Sequence, residues 1–136
     1  MDMEVKVRYT DGVGFEADAR GHRVFCDQPA SNGGLDRGMT PPEYLLVSLG
    51  TCAGYYAEEY LRTRGLPAEG LEIRVSAEKA QQPARLGVFR IEVATPPLDA
   101  RHEAGVERAV KACLIHNTLL NTPAIEMVVH AGALTH

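Results

Sequence analysis

The residues of this chain best suited to chemistry are its three cysteines, Cys26, Cys52 and Cys113. An odd number of thiols in a reducing compartment does not make a structural disulfide framework. Cys26 alternates with Val24 along a strand and reads as inert packing. Cys52 falls in the middle of a long apolar helix, and Cys113 near the end of a second one. Free cysteine packs as a small hydrophobe, so position alone is compatible with a passive role for each. A nucleophilic or redox role requires thiolate character. Glu43 stands three residues after Thr40, the spacing of a capping box. Arg37 lies in the loop just before, where a charge is ordinarily solvated. His116 follows Cys113 by three residues, placed either to polarise that thiol or simply to end a helix. A zinc site from Cys26, Cys52, Cys113 and His116 is only weakly signalled, since there is no CxxC or HxxxH pair. Glycine-rich phosphate loops after a strand and GxSxG elbows are absent from the sequence.

The elements that must position these side chains are legible from periodicity. Glu4–Tyr9 alternates Val5, Val7 and Tyr9 against Lys6 and Arg8, the pattern of a half-buried strand. Asp11-Gly12 signals a turn, and Val13–Ala17 and His22–Cys26 continue a meander. The run Asp27–Gly38, rich in turn formers, reads as an exposed loop. Thr40-Pro41-Pro42-Glu43 then opens a helix that stops at Gly65, with Arg62 and Arg64 complementing its dipole. That helix is about 33 Å long. Its first half is apolar nearly all round, with Leu45, Leu46, Val47, Leu49, Cys52, Ala53 and Tyr56, which predicts burial on every side. A single chain of this size has difficulty covering it, and a partner subunit is expected.

Leu71–Lys79 and Leu86–Thr95 form an antiparallel hairpin across the QQPA linker. Asp99 caps a second helix whose stripe is Val106, Ala109, Val110 and Cys113, and a short helical piece or turn follows at Asn117–Asn121. Pro123 ends it, and Ile125, Met127, Val129 and Ala131 alternate as a last strand. The expected order is βββ-α-ββ-α-β, an α+β domain with antiparallel sheet.

Composition narrows the function classes. At 136 residues the chain fits one domain, 1–136, large enough to fold without a disulfide or metal staple. Apolar residues make up 45% and charged residues 24%, as in an ordinary globule. Fourteen basic against eighteen acidic residues leave −4, which argues against a nucleic-acid surface. The longest charge-free stretch, Tyr44–Ala57, is shorter than the roughly 18–20 residues of a membrane span. The first residues, MDMEVKVRY, carry charges where a secretory signal would be apolar, so a cytoplasmic location is expected.

Two contexts, TPPEYLLVSLGTC and VERAVKACLIHNTLL, resemble the two cysteine motifs of the OsmC/Ohr family, organic hydroperoxide reductases and osmotically inducible protein C-like proteins. The resemblance covers nearly the whole chain, and the βββ-α-ββ-α-β order matches. It implies an OsmC-like fold, an intertwined homodimer with a long buried central helix, and reduction of organic hydroperoxides by a cysteine pair. Cys52 matches the peroxidatic cysteine and Cys113 the resolving one. Glu43 matches the family's acidic residue, offset by one: the best-known reductases carry it ten residues before the cysteine, where this chain has Pro42. The offset resembles the less characterised branch of the family. Leu114 also stands where the family often has proline after the resolving cysteine. The family's arginine is assigned to Arg37, with Arg20 and Arg23 as alternatives.

What the resemblance implies has a chemical rationale. A thiol attacks peroxide as thiolate, and burial among Leu45, Leu49 and Tyr56 would raise the pKa of Cys52. A nearby guanidinium would lower it and stabilise the alkoxide, and a carboxylate would fix the guanidinium. Cys52 becomes sulfenic acid, Cys113 condenses with it, and an external dithiol, in the family often a lipoyl group, restores both. No metal or organic cofactor is implied. Nine residues turn a helix through about 900° and advance it about 13 Å, so Glu43 and Cys52 lie on opposite faces. They meet only across two symmetric helices, which again predicts a homodimer. The alternatives are an OsmC-fold protein that handles other thiols or disulfides, and one that binds a small molecule with its cysteines as packing.

Overall fold

The computed structural model describes residues 3–132. The long helix, α1, runs Pro41–Thr63 with Thr40 as its N-cap and Pro41 at the first helical position. Glu43 Oε1 reaches back to accept the Thr40 N–H at 2.9 Å and its hydroxyl at 3.0 Å. The capping signature in the sequence is therefore realised. At the other end Gly65 takes φ 67°, and the Leu66 N–H returns to the Leu61 carbonyl at 2.9 Å, closing the helix.

Leu49, Ala53, Ala57 and Leu61 recur every fourth residue and form the buried stripe of α1. Against it pack the hairpin β4 (Glu72–Ala80) and β5 (Arg85–Ala94), and the second helix, α2 (Ala100–Lys111). Ile73, Ile91 and Val93 from the hairpin and Val106 and Val110 from α2 complete this core. Gly105 lets α2 approach α1, because a Cβ there would fall on the Tyr60 hydroxyl. That hydroxyl instead lies 3.0 Å from His102 Nδ1. Asp99 caps α2, accepting the His102 N–H at 2.9 Å.

The N-terminal strands β1 (Lys6–Tyr9), β2 (Phe15–Ala19) and β3 (His22–Cys26) make a separate antiparallel sheet in sequence order. The second strand begins two residues later than its pattern predicts. The turn takes Asp11 to Gly14, with the Gly14 N–H on the Asp11 carbonyl at 2.8 Å. This sheet is tied to α1 by the Tyr44 hydroxyl, which donates to the Phe25 carbonyl at 2.7 Å. Val5, Val7 and Tyr9 remain exposed.

Three expectations need correction. The last strand is not formed: the described residues beyond Leu120 carry neither strand nor helix, and Ile125, Met127, Val128 and Val129 are exposed. An alternating segment becomes a strand only where a neighbouring edge takes its hydrogen bonds, and among the described residues Ile125–Ala131 pairs with none. The second helix also breaks at Cys113, so the order is βββ-α-ββ-α-α, with α3 spanning Leu114–Leu120. The central helix is buried along one stripe rather than all round. Leu45 is 36% exposed, Val47 41% and Tyr55 60%. No helix among the described residues is long and apolar enough to cross a membrane.

Candidate active site

The break between α2 and α3 positions Cys113. Its backbone leaves the helical region at φ −58°, ψ 132°, and the residue becomes the N-cap of α3. The His116 N–H points at its Sγ from 3.5 Å. The thiol is completely buried. Cys52 is half-buried on α1, three residues after Leu49. α1 packs against α3 here, which makes Cys52 a neighbour of Cys113 that helps to raise its pKa. Residues separated by sixty-one positions thus lie on packed helical elements.

Burial is the main cause that raises the Cys113 pKa, and contact with Cys52 adds to it. The backbone N–H groups of His116 and Ile115 pull the other way and only partly offset these effects. Cys113 therefore stays a neutral thiol near pH 7. Cys26 sits apart, half-buried at the end of β3, and burial and the Asp27 charge both raise its pKa. Its strand position agrees with a packing role.

Arg37 and Glu43 are not joined to Cys52 by a hydrogen bond or ion pair among the described residues. The Arg37 Nε donates to Asp27 at 2.8 Å, its NH1 nitrogen to Asp11 at 3.0 Å, and its guanidinium lies 4.9 Å from the Phe25 ring centre. Glu43 is occupied by the Thr40 cap, whose two hydrogen bonds lower its pKa. Arg20, with φ 53°, turns the chain between β2 and β3, and Arg23 lies exposed on β3.

Asp27 is a residue the sequence reading passed over. Only 1% exposed, it accepts the Arg37 guanidinium and the backbone N–H groups of Gln28, Leu35 and Arg37. The Arg37 bond is the main cause that holds its carboxyl down to about 2. Its position as the first residue after a strand, opening a loop with an arginine ten residues on, is the signal available in the sequence. The Asp27–Gly38 run is consequently a loop folded around one carboxylate.

Two cavities meet at His116 and Ile91, and neither wall includes Cys52 or Cys113. One, of about 600 Å³, is lined by Leu49, Leu86, Phe89, Ile91, His116 and Leu119 among others. The other, of about 490 Å³, lies between β5 and α2 and also has His116 in its wall. The side chains lining the first are apolar apart from His116, which suits a hydrocarbon group. Among the described residues no cluster of three or more His, Cys, Asp or Glu side chains could hold a metal ion.

Comparison with known proteins agrees with the fold. No curated protein matches the chain. Among solved structures, an osmotic stress induced and detoxification response protein from Psychrobacter arcticus 273-4 superposes with a TM-score of 0.79 at 20% identity, covering 87% of this chain and 89% of that one. An OsmC like protein from Mycoplasma pneumoniae gives 0.71 at 17% identity, over 90% of this chain and 89% of the other. An organic hydroperoxide resistance protein OsmC from Legionella pneumophila gives 0.62 at 15% identity, over 88% and 89%. These likenesses are of fold. The model of the family described as OsmC-like protein matches residues 33–128, which include α1, the hairpin and both cysteines of the pair. The chain belongs to the OsmC-like protein family.

Proposed function

We propose that this protein is a cytoplasmic, thiol-dependent peroxidase that reduces organic hydroperoxides through Cys52 and Cys113. The observation that carries the reading is the approach of the Cys52 thiol to the buried Cys113. The half-exposed thiol on α1 is the one a peroxide reaches. Its thiolate attacks the outer peroxide oxygen, the O–O bond breaks, and the alkoxide leaves as alcohol after taking a proton. Cys52 then carries the oxygen as sulfenic acid. Cys113 attacks that sulfur, water leaves, and an external dithiol of the lipoyl kind reduces the disulfide. The apolar cavity behind Leu49 favours an alkyl hydroperoxide over hydrogen peroxide.

The working unit in this reading is a homodimer. Leu45, Val47 and Tyr55 on α1, the outer sheet and the apolar segment after Pro123 all lack cover in one chain. A second copy would cover them and set Glu43 of one α1 against Cys52 of the other. Arg37 then serves Cys52 from the Asp27-centred loop.

A second reading, a thiol- or disulfide-handling protein without efficient peroxidase activity, is favoured by one observation. Arg37 is engaged by two carboxylates and Glu43 by a helix cap, so neither is joined to Cys52. Steady-state consumption of cumene hydroperoxide with dihydrolipoamide as reductant separates the readings. Peroxidase function predicts turnover by the parent and none by Cys52→Ser. Equal consumption by both would refute it.

A further inference from the structure

We propose that His116 relays the proton in the step that closes the Cys52–Cys113 disulfide. This rests on the peroxidase reading above and adds a residue to it. Among the described residues His116 Nδ1 is the one buried side-chain nitrogen or oxygen of a non-exposed residue without a hydrogen-bond partner. Native structures seldom leave such an atom unpaired, and an unmet polar group inside a protein calls for a reason. Here the reason is its position.

The backbone of His116 is held to the Cys113 sulfur by the 3.5 Å N–H contact, which fixes the ring one turn along α3 from that thiol. The ring forms part of the wall of both cavities. In the larger cavity it shares that wall with Leu49, one turn before Cys52 on α1. The half-buried imidazole thereby lines both cavities one turn along α3 from Cys113. The other groups able to titrate or carry charge around it are few. From α2 come Glu103, Glu107 and Lys111, the last two paired with each other at 3.2 Å. From α1 comes Cys52, and the cap of α3 is Cys113 itself. The β5 residues lining one or the other cavity, Leu86, Gly87, Phe89, Ile91 and Val93, carry no charge, nor does Thr95 just after the strand.

The chemistry of the step calls for such a group. Cys113 must lose a proton to attack, yet it is buried and neutral. The Cys113 sulfur bonds to the Cys52 sulfur and is oxidised, the Cys52 S–O bond breaks, and hydroxide departs. A neutral imidazole takes the thiol proton at Nδ1 as the S–S bond forms and returns it to the hydroxide. Water leaves and the ring ends neutral, so no further reactant is needed. The attack of Cys52 on peroxide does not involve Cys113, and His116 has no part in it.

The test is single-turnover oxidation of the full chain by one equivalent of cumene hydroperoxide, followed over pH 5 to 9. The first phase is sulfenic acid formation and the second is loss of the remaining thiol. His116→Gln keeps a polar side chain that cannot exchange a proton in this range. It should leave the first phase within about twofold and slow the second by about tenfold or more at pH 7. It should also erase an inflection in the second phase within about pH 5–8, where imidazoles change charge. An unchanged second-phase rate and pH profile in His116→Gln would overturn the proposal and leave the cysteine pair standing. If the variant does not fold, the parent decides. A second phase with that inflection supports the relay, and one that climbs smoothly to pH 9 overturns it. A parent that shows no first phase refutes the peroxidase reading, and the relay with it.

Discussion

Asp27 and Arg37 form an ion pair of 2.8 Å in which the carboxylate is almost wholly buried and the guanidinium is one-third exposed. Three backbone N–H groups converge on the same carboxylate, so the loop before α1 is built around it. The pair holds the Arg37 guanidinium at the start of this loop.

The first prediction concerns acid. The Asp27 carboxyl is held at about 2 when folded, against about 3.9 in an unfolded chain. A lowered carboxyl stabilises the fold fully above its unfolded value and loses that contribution as pH falls through its folded value. The stability advantage of the parent over Asp27→Asn should therefore be constant above about pH 5 and shrink between about pH 4 and 2. Urea unfolding midpoints measured across that range check it. A gap independent of pH would mean that the charge contributes nothing.

The second concerns the thiol. If Arg37 serves Cys52, Arg37→Ala should slow alkylation of Cys52 several-fold near pH 7, since one pKa unit is about 1.4 kcal/mol between the protonation states. Arg37→Lys should recover little, because a point charge lacks the forked contact. Glu43→Gln should act in the same direction more weakly. Iodoacetamide labelling of Cys52 reads all three. Rates unmoved by Arg37→Ala but slowed by Arg20→Ala or Arg23→Ala would transfer the role to the N-terminal meander.

The third concerns packing. Gly105→Ala places a methyl group on the Tyr60 hydroxyl and parts it from His102. The cost should be about 1–3 kcal/mol, as for other overpacked sites. Leu61→Ala, at a fully buried position, should cost roughly 2–5 kcal/mol. Denaturant titration checks both, and a Gly105→Ala variant as stable as the parent would contradict the close helix approach.

The fourth concerns assembly. Light scattering at micromolar concentration should give twice the 14.8 kDa of one chain. Charged substitutions at Val47 and Tyr55 should shift it toward monomer, because both are exposed on α1 in the single chain. A folded monomer at all concentrations would refute the homodimer.

The elements were legible where local chemistry decides them. Thr40, Pro41 and Glu43 announce the start of α1, Gly65 its end, and the alternation of Ile73 and Val75 the hairpin. Legibility failed where the outcome depends on distant neighbours. The pattern Ile125–Ala131 reads as a strand whether or not an edge is available. The apolar circumference of α1 says that it needs cover but not that one chain covers only one stripe. At the candidate site, the helical contexts single out the cysteines. Asp27 is not singled out, because nothing local distinguishes a buried carboxylate from a loop charge until Arg37 folds onto it.

The central claim is that Cys52 and Cys113 are one redox unit. Its most direct measurement is peptide mapping of the full chain after one equivalent of cumene hydroperoxide, without reductant. The account predicts a single Cys52–Cys113 disulfide within each chain, one cumyl alcohol per chain, and an unmodified Cys26. It also predicts that Cys113→Ser stops at a dimedone-reactive sulfenic acid on Cys52. Oxidation found first on Cys113 or Cys26, or a Cys52 that remains a free thiol while the peroxide persists, would contradict it.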